Sequence, residues 1–407
     1  MSGRRRRALR AAVCGIAVTL LLGPGRCTGP QDGAGAAQEA VQALLDRRAT
    51  AVLAGDQDRF LQTVDSRSHD YRRQQRTVAA NLGRLHPVSW TYELHRLTVD
   101  GRRAEAEVEL RYRLTEHARS PVRATERLRL RHAGGRWRLA GEHPDSSRQL
   151  WEQGPVRIVR GEHSLVLGTV DRATLRRVAD RAEAAVPAVS RDWPEPWPRH
   201  TVVLVPDSVR EMAELLDGEA STYQGIAAVT TGPQSGASGE WKRVVINRQA
   251  FGLLSERGRQ VVITHETAHV ATHRHTGEAT PLWLSEGLAD WIGYRGTGID
   301  PVTAAPTLTR AVRAGEAPRA LPADSAFGFT SGPDSLARAY EGAWLACRMV
   351  ADRWGSRRLA ELYLAVGESH GPAAQAVDRA LRDVLGVGTA EFTRMWRSAL
   401  QQRLGGP

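Results

Sequence analysis

The sequence predicts an α+β protein with two folded units, residues 37–150 and 155–405, that follow a short leader. Three observations predict this fold class. Helical periodicity changes to strand-like alternation near residue 88, a second group of apolar strands begins near residue 155, and the pattern is helical from residue 250 onward. A chain of 407 residues with 41% apolar content is long enough to bury a sizeable core.

The net charge of +11 does not indicate a nucleic-acid partner. Six arginines and no acidic residue lie within residues 1–30, which leaves a charge of +5 for the rest of the chain. Lys242 is the one lysine among 56 basic residues, and no basic run with interleaved aromatic residues follows the leader. We therefore expect no nucleic-acid partner. Two of the three cysteines lie in the leader, so no internal disulfide is expected.

Residues 1–36 are predicted to be a secretory signal or anchor with a linker. Four consecutive arginines precede an apolar run over residues 11–22, and Gly-Pro-Gly follows the run. The run is shorter than the roughly 18 to 20 apolar residues of a spanning helix. Cleavage after Ala36, lipid attachment at Cys27 and an uncleaved anchor all stay open. We expect an exported protein, secreted or attached to the outer face of the cell membrane, with membrane contact only through this segment.

The first unit is predicted to begin with two helices. Residues 30–38 are rich in Gly, Ala and Gln and are expected to form a linker ahead of them. The apolar residues that share one face of the first helix are Val41, Leu44, Leu45, Val52 and Leu53. Gly55 is expected to end this helix, and Asp56 is placed to cap the second one.

Strands are predicted to follow these helices. Apolar and polar residues alternate over 88–94 and 104–114, and Asp100-Gly101 between them is a hairpin-turn sequence. A second hairpin is expected around Gly134-Gly135. This order of helices and a curled antiparallel sheet resembles the cystatin-like cone of NTF2-like domains. The resemblance implies either a ligand-holding cone or a module that stabilises or spaces the second unit, and no catalytic constellation is found here.

The second unit is predicted to be a small sheet followed by helices. Its strands are expected at residues 156–159, 164–167, 201–205 and 243–247. Residues 217–241 are rich in Gly, Ser and Thr and are expected to form a loop. Residues 296–335 show little periodicity and are expected to be a wall or lid of a cleft, or a long surface excursion. The amphipathic tail at 374–400 is expected to pack on the preceding helices, since its charges are mixed in sign.

The stretch from Val261 to His273 carries the pattern H-E-x-x-H in His265, Glu266 and His269. On a helix, residues four apart lie one turn apart on the same face, so both imidazoles can reach one metal ion. The glutamate between them is placed to act on a water molecule rather than to bind the ion. The alternative interpretation is a pair of ordinary histidines on a helix.

A second segment, residues 281–291, favours the metal site over that alternative. Catalytic zinc takes three protein ligands and keeps one position open. Glu286 lies seventeen residues after His269, which leaves room for a turn and a second helix. Asp290 shares the helical face of Glu286 and can accept a ring N–H from a ligating histidine. The two segments together predict a site for one Zn²⁺ per chain.

HETAH followed by WLSEGLADW resembles the gluzincin zinc peptidases, and specifically the peptidase MA-like group of exported bacterial proteins. The resemblance runs loosely over residues 155–400 and is sharpest at 261–294 and 336–355. It implies that Glu266 is the general base and acid. It implies that the zinc ligands are His265, His269 and Glu286.

An oxyanion donor is also needed beside the metal. The candidates are Tyr340, Tyr294, His273 and His275. Tyr340 is favoured because the helix AYEGAWLACRMVADRWG resembles the helix in which gluzincins keep their oxyanion tyrosine. The two histidines are expected to lie on the surface at the end of their helix. Glu278 is a poorer candidate ligand than Glu286.

The expected function is hydrolysis of a peptide or protein substrate by an exported zinc peptidase. The G-x-M-E-N strand motif that holds the substrate amine in the aminopeptidase branch is missing near residues 244–247, which favours endopeptidase action. The alternative is a catalytically silent envelope binding protein with a peptidase-like cleft. Glu266 counts against it, because a binder needs no general base. Hydrolysis of another amide, such as cell-wall peptide, is not separated from peptidase action, and no oligomeric state is predicted.

Overall fold

The computed structural model describes residues 30–231, 241–328 and 332–406. Most of the predicted signal or anchor, residues 1–29, lies outside these ranges. Within the described part of the chain, no helix is both long enough and apolar enough to cross a membrane.

Three helices open the described chain. They are α1 (Pro30–Leu53), α2 (Gln57–Gln62) and α3 (His69–Leu85). The predicted linker at 30–38 is wrong, because α1 begins at Pro30 and runs through this Ala-rich stretch, where proline is tolerated in the first turn. Leu53, expected on the buried face, is 47% exposed at the end of the helix. The Asp56 carboxylate caps α2 as predicted, since it accepts a hydrogen bond from Arg59 N at 2.9 Å.

The first sheet is an antiparallel meander in the order β1-β2-β3-β4. Its strands are β1 (Ser89–Asp100), β2 (Arg103–Arg113), β3 (Val122–Ala133) and β4 (Arg136–Glu142). Every second residue of β2 is buried, which follows from the alternation of side chains along a strand. The predicted turn at Asp100-Gly101 joins β1 to β2, and Gly101 adopts the left-handed φ of +56° that this turn requires.

The second sheet has the order β5-β6-β7-β9-β8, with parallel pairing from β6 through β7 to β9. Its strands are β5 (Arg157–Arg160), β6 (Ser164–Gly168), β7 (Thr201–Val205), β8 (Ala228–Thr230) and β9 (Val244–Ile246). The prediction of a loop throughout 217–241 is wrong, because this stretch contains β8. A strand of three residues carries no detectable period, and β8 exists through its antiparallel pairing with β9.

The second sheet is covered on both faces. Residues that pack toward the first unit are Leu165, Leu167, Val202, Leu204 and Val245. Residues that pack toward the helices of the second unit are Val166, Val203, Val205, Val244 and Ile246. A sheet buried on both faces explains the continuous apolar run TVVLV in β7.

Twelve further α-helices of the described chain lie between or after these strands. They are α4 (Arg172–Asp192), α5 (Val209–Leu215), α6 (Ala220–Tyr223), α7 (Arg248–Leu253), α8 (Glu256–Thr272), α9 (Leu282–Tyr294), α10 (Pro301–Ala304), α11 (Pro306–Arg313), α12 (Pro333–Trp354), α13 (Ser356–Gly367), α14 (Ala373–Leu385) and α15 (Thr389–Leu404). Helix α8 packs against α4 and α9, and α9 in turn packs against α12.

Two of the sequence-based expectations for the helical part have clear outcomes. Within the stretch 296–335, α11 buries Leu308 and Val312 against α12 and α15, so this part is core and not a lid. Proline begins both short helices of this stretch, α10 and α11. The low periodicity of the sequence did not indicate them. The amphipathic tail packs on the preceding helices as predicted, and Trp396 Nε1 of α15 donates to the Gly342 carbonyl of α12 at 3.1 Å.

Candidate active site

Helix α8 carries the H-E-x-x-H pattern on its face toward α9. Ser255 caps the start of this helix, because its hydroxyl accepts a hydrogen bond from Gly258 N at 3.1 Å. Ile263 and Thr267 on the opposite face are fully buried, which anchors the helix in the core. His265 and His269 therefore project on the other face, and both are only half-buried.

Helix α9 brings Glu286 opposite these histidines by close packing at glycines. A Cβ atom at Gly287 would lie 2.4 Å from the Ala343 carbonyl oxygen of α12. A Cβ atom at Gly293 would lie 3.0 Å from the Val261 carbonyl oxygen of α8. The first contact is too close for any side chain and the second is tighter than most Cβ contacts, so glycine at these two positions lets α9 lie close to its neighbours. This packing sets the position of Glu286.

The three predicted ligand atoms form a nearly equilateral triangle. The two Nε2 atoms of His265 and His269 lie 3.1 Å apart. Glu286 Oε2 lies 3.3 Å from His265 Nε2 and 3.4 Å from His269 Nε2. Ligands of tetrahedral zinc, each at about 2.0–2.1 Å from the ion, are separated from one another by roughly 3.3 Å. The spacing and the chemistry of this donor set therefore fit zinc.

Asp290 lies behind the triangle and orients His265. Its Oδ1 atom is 2.8 Å from His265 Nδ1, so the ring directs Nε2 toward Glu286. Burial lowers the pKa of His265, but the hydrogen-bonded Asp290 and the neighbouring carboxylates outweigh it and raise this pKa well above its usual value. Burial raises the pKa of Glu286, but the two histidines outweigh it and lower that pKa. Glu266, Glu286 and Asp290 place three carboxylates around the two imidazoles, and their negative charge favours a bound dication.

Glu266 is not part of the triangle and faces a hydroxyl group. It is 7% exposed, and its Oε2 atom accepts a hydrogen bond from Thr230 Oγ1 at 2.6 Å. The same hydroxyl lies 3.2 Å from the Glu266 carbonyl oxygen. Thr230 belongs to β8, the edge strand beside α8. The carboxylate is held at the site by a residue that sequence reasoning did not identify.

Two of the four candidate oxyanion donors are tyrosines that line the same cleft. Burial raises the pKa of Tyr340 well above its usual value, and Glu286, Asp290 and Glu266 raise it further. Burial, with Asp290, also raises the pKa of Tyr294, whose ring packs on Trp344 at a centroid distance of 4.8 Å. Both phenols therefore keep their protons at neutral pH and can donate them in hydrogen bonds.

The candidate histidines differ from each other in position. His273 lines the cleft, and its Nδ1 lies 3.0 Å from the Val270 carbonyl oxygen. His275 lies outside the cleft and packs edge-on against Trp193 at 5.6 Å, beside a separate groove that also holds Glu278. Both histidines are half-buried just beyond the end of α8.

The candidate metal centre lies in a cleft of about 750 Å³. One wall is β8 with the turn before it, and the facing wall is the start of α12. The charged side chains among its described lining residues are Lys242, Glu266, Glu286 and Asp290. A half-enclosed cleft of this size, with a few convergent polar groups, has the form expected of a substrate site.

No family model and no curated protein matches this chain. Among solved structures, the chain is similar to an M1 zinc metallopeptidase from Deinococcus radiodurans, with 15% identity and a TM-score of 0.36, over 79% of this chain and 64% of that one. It therefore spans less than two thirds of that peptidase. It is also similar to a Mycobacterium tuberculosis protein of unknown function, with 19% identity and a TM-score of 0.25, over 30% of this chain and 79% of that one. Such distant likeness assigns no function.

Sequence reasoning passed over two features that the structure explains. Thr230 lies 36 residues before Glu266 in a stretch without periodicity, so no local signal connects them. Residues 367–371 match the pattern G-x-S-x-G, but they begin at the last residue of α13 and not after a strand. Ser369 Oγ donates to the Ala365 carbonyl oxygen at 2.7 Å, which is a helix-end hydrogen bond and not a nucleophile elbow.

Proposed function

We propose that this protein is a zinc-dependent peptidase, and an endopeptidase rather than an aminopeptidase. The observation that carries the proposal is the triangle of His265 Nε2, His269 Nε2 and Glu286 Oε2, with sides of 3.1, 3.3 and 3.4 Å. Glu266 stands beside this triangle without joining it, which is the arrangement of a metal site that needs a general base. A site that only stored zinc would have no use for that carboxylate.

The reaction assigns one role to each side chain. Bound zinc supplies a Lewis acid that lowers the pKa of water and polarises the substrate carbonyl. Glu266 takes a proton from the attacking water and passes it to the leaving amine. Asp290 keeps His265 in the orientation that presents Nε2. Tyr340, which keeps its proton, donates a hydrogen bond to the oxygen that becomes negative when the carbonyl is attacked.

The cleft supports endopeptidase action. An aminopeptidase must hold the protonated amine at the substrate's N-terminus with a carboxylate of its own. Among the described lining residues, each of the three carboxylates already has a partner: Glu286 contacts the two histidines, Asp290 contacts one of them, and Glu266 accepts a hydrogen bond from Thr230. The wall strand β8 reads Ala-Val-Thr and contributes no charge. A peptide chain without a free amine fits this lining better.

We also propose that the protein acts outside the cytoplasm, in or beyond the cell envelope. The support is the leader, in which an arginine run precedes a short apolar segment that ends at Gly-Pro-Gly. The substrate is then a peptide or protein of that compartment.

Metal analysis and two variants test the proposal. We expect about one zinc per chain, and a much lower content in Glu286→Ala, because one of three ligands is removed. Glu266→Gln should keep zinc and lose hydrolysis of a peptide panel, because an amide cannot take the proton. Parental rates in Glu266→Gln would refute the base assignment. A parent that binds no zinc would refute the enzyme and favour the binding-protein alternative.

A further inference from the structure

The first unit contacts the strands beside the cleft through the hydroxyl of Tyr112. This tyrosine lies in β2, and its side chain is fully buried. Its hydroxyl accepts a hydrogen bond from Nη1 of Arg243, the residue before β9, and donates one to Gln149 Oε1 at 2.6 Å. The Arg243 guanidinium also lies over the tyrosine ring, 5.9 Å from its centroid. Tyr112 therefore joins the first unit directly to the start of β9.

Arg243 is in turn paired with the residue after β8. Its carbonyl oxygen accepts a hydrogen bond from Thr231 N at 2.8 Å, and its own N–H donates to Thr231 Oγ1 at 3.1 Å. This pair extends the antiparallel ladder of β8 and β9 by one step beyond Thr230 and Val244. One residue thus connects the end of β8 with the first unit.

Strand β8 has little support within its sheet. It is three residues long and lies at the edge, and β9 is its one neighbour among the strands that the structure describes. Its other main contact is α8, the helix that carries the proposed base. Short edge segments with few buried contacts open at a lower free energy than the centre of a sheet. The position of Thr230 therefore depends on how firmly β9 and Arg243 hold this strand.

Thr230 is the point at which β8 meets the proposed general base. Its hydroxyl donates to Glu266 Oε2 at 2.6 Å and lies 3.2 Å from the carbonyl oxygen of the same residue. A shift of β8 would lengthen the bond to the carboxylate, and hydrogen bonds weaken steeply when their geometry is lost. The connection from the first unit to Glu266 runs through Tyr112, Arg243, Thr231 and Thr230.

We propose that Tyr112 is a positioning residue for catalysis. Through Arg243 and Thr231 it holds β8, and so it keeps the Thr230 hydroxyl on the carboxylate of Glu266. The inference rests on the proposed peptidase function, because it concerns the orientation of the general base in that reaction. It gives the first unit a part in turnover, although none of the described residues that line the cleft belongs to that unit.

Removal of the tyrosine hydroxyl tests this role. We expect Tyr112→Phe to lower kcat by about 3- to 10-fold, the range of one lost hydrogen bond. KM should change by less than about twofold, since Tyr112 is not among the described residues of the cleft wall. Zinc content should equal that of the parent, because no ligand is touched. A parental kcat in Tyr112→Phe would overturn the proposal.

Tyr71→Phe is the matched control for this variant. Tyr71 lies in α3 of the same unit, and its hydroxyl donates to Glu142 Oε1 of β4 at 2.9 Å. The control loses one partly buried tyrosine hydroxyl and leaves the β8–β9 ladder untouched, so it should keep the parental kcat. An equal loss of kcat in both variants would indicate a general weakening of the first unit and would contradict a specific role for Tyr112.

A double-mutant cycle tests whether the effect passes through Thr230. In the Thr230→Val background, Tyr112→Phe should change kcat by less than about twofold, since the hydrogen bond that it supports is already absent. Two losses that multiply would mean that Tyr112 acts by another route, and the proposal would fail.

A second variant breaks the same contact from the other unit. Arg243→Met removes the guanidinium that donates to Tyr112, so it should reproduce the loss of kcat and its dependence on Thr230 even if Tyr112→Phe does not fold. Its control is Arg248→Met, which removes an exposed arginine that pairs with Asp207 at 2.7 Å. Parental turnover in Arg243→Met would also overturn the proposal.

Amide hydrogen exchange separates a failure of this inference from a failure of the proposed function. The Thr231 N–H is bonded to Arg243 and exchanges when β8 opens from β9. Tyr112→Phe should raise the exchange rate of residues 228–231 by about 3- to 10-fold, whereas Tyr71→Phe should not. If the parent hydrolyses no peptide, the proposed function fails, and this ratio alone decides whether the first unit holds β8. Peptide hydrolysis together with unchanged exchange in Tyr112→Phe refutes the role of Tyr112 alone.

Discussion

The Thr230 hydroxyl donates a 2.6 Å hydrogen bond to the carboxylate of Glu266. The first residue ends a three-residue edge strand, and the second lies in the middle of helix α8. The bond connects the sheet to the proposed general base. Through this hydrogen bond, Thr230 positions the carboxylate of Glu266.

We predict that Thr230→Val lowers kcat by about tenfold, because the base loses a charge-assisted hydrogen bond that orients it. Zinc content should stay near one per chain, since no ligand is touched. Steady-state kinetics and elemental analysis measure the two effects. Thr230→Ser keeps the hydroxyl and should keep most of the rate. A valine variant with the parental kcat would remove Thr230 from the mechanism.

The two tyrosines of the cleft should differ in their effect on turnover. Loss of one oxyanion donor costs about 10²- to 10³-fold in kcat, and we expect this loss in Tyr340→Phe. Tyr294→Phe should be nearly neutral, because that ring is engaged in packing on Trp344. Both variants should retain zinc. The reverse pattern, with the rate lost only in Tyr294→Phe, would move the oxyanion role to Tyr294.

A methyl group at position 287 should disturb both stability and metal binding. The new Cβ atom would meet the Ala343 carbonyl oxygen at 2.4 Å and Cys347 Sγ at 2.8 Å. We expect Gly287→Ala to lower the free energy of unfolding by about 1–3 kcal/mol and to weaken zinc binding, because α9 must shift with Glu286. Denaturant unfolding and zinc titration measure these changes.

Gly252→Ala is the matched control for this substitution. Gly252 lies in α7, and a Cβ atom there would meet nothing within 4 Å. This variant should be as stable as the parent or more stable by about 0.5–1 kcal/mol, the usual difference between the two residues in a helix. A Gly287→Ala variant as stable as this control would show that α9 does not depend on the close approach.

Stability should fall at mildly acidic pH because of His200. Its ring is 4% exposed and stacks on His117 at 4.3 Å. Burial, together with His117 and His163, lowers the pKa of His200 to about 4. The folded state therefore excludes a proton that the unfolded chain takes up near its usual pKa of about 6.5. This contribution to stability is complete above about pH 6.5 and is lost as the pH falls toward 4.

The size of that loss is measurable by urea unfolding. His200 accounts for about 2 kcal/mol between about pH 7.5 and about pH 5, because each pH unit between the two pKa values of the ring costs about 1.4 kcal/mol. In His200→Phe, which cannot titrate, the decrease over this range should be smaller by that amount. An identical pH dependence in the parent and the variant would exclude His200 as the cause.

The elements predicted well from the sequence are those with a long local period. Strand β2 alternates over eleven residues, and its buried positions are the expected ones. The short elements β8, α10 and α11 were missed, since three to eight residues contain too few turns or alternations to define a period. Helix α1 was placed too late, because Gly and Ala were interpreted as linker composition although a helix accepts both.

The histidine pair and its carboxylates were predictable from spacing, because the positions of residues four apart on a helix are set by the helix itself. The arrangement of Glu286 against that pair was not, since it depends on close packing of α9 at Gly287 and Gly293. Thr230 is the last residue of β8, and Lys242 lies just before β9. Only the pairing of these two strands brings this edge of the sheet to α8.

The sequence by itself determined the identity of the candidate ligands, the base and most long helices and strands. Each of these depends on side-chain types at spacings of a few residues, which a single helix or strand converts directly into geometry. The tertiary structure alone decided which hydroxyl contacts the base and which of the candidate oxyanion donors line the cleft. These relations join residues that are tens of positions apart, and their distances are set by how helices and strands pack, which no local pattern records.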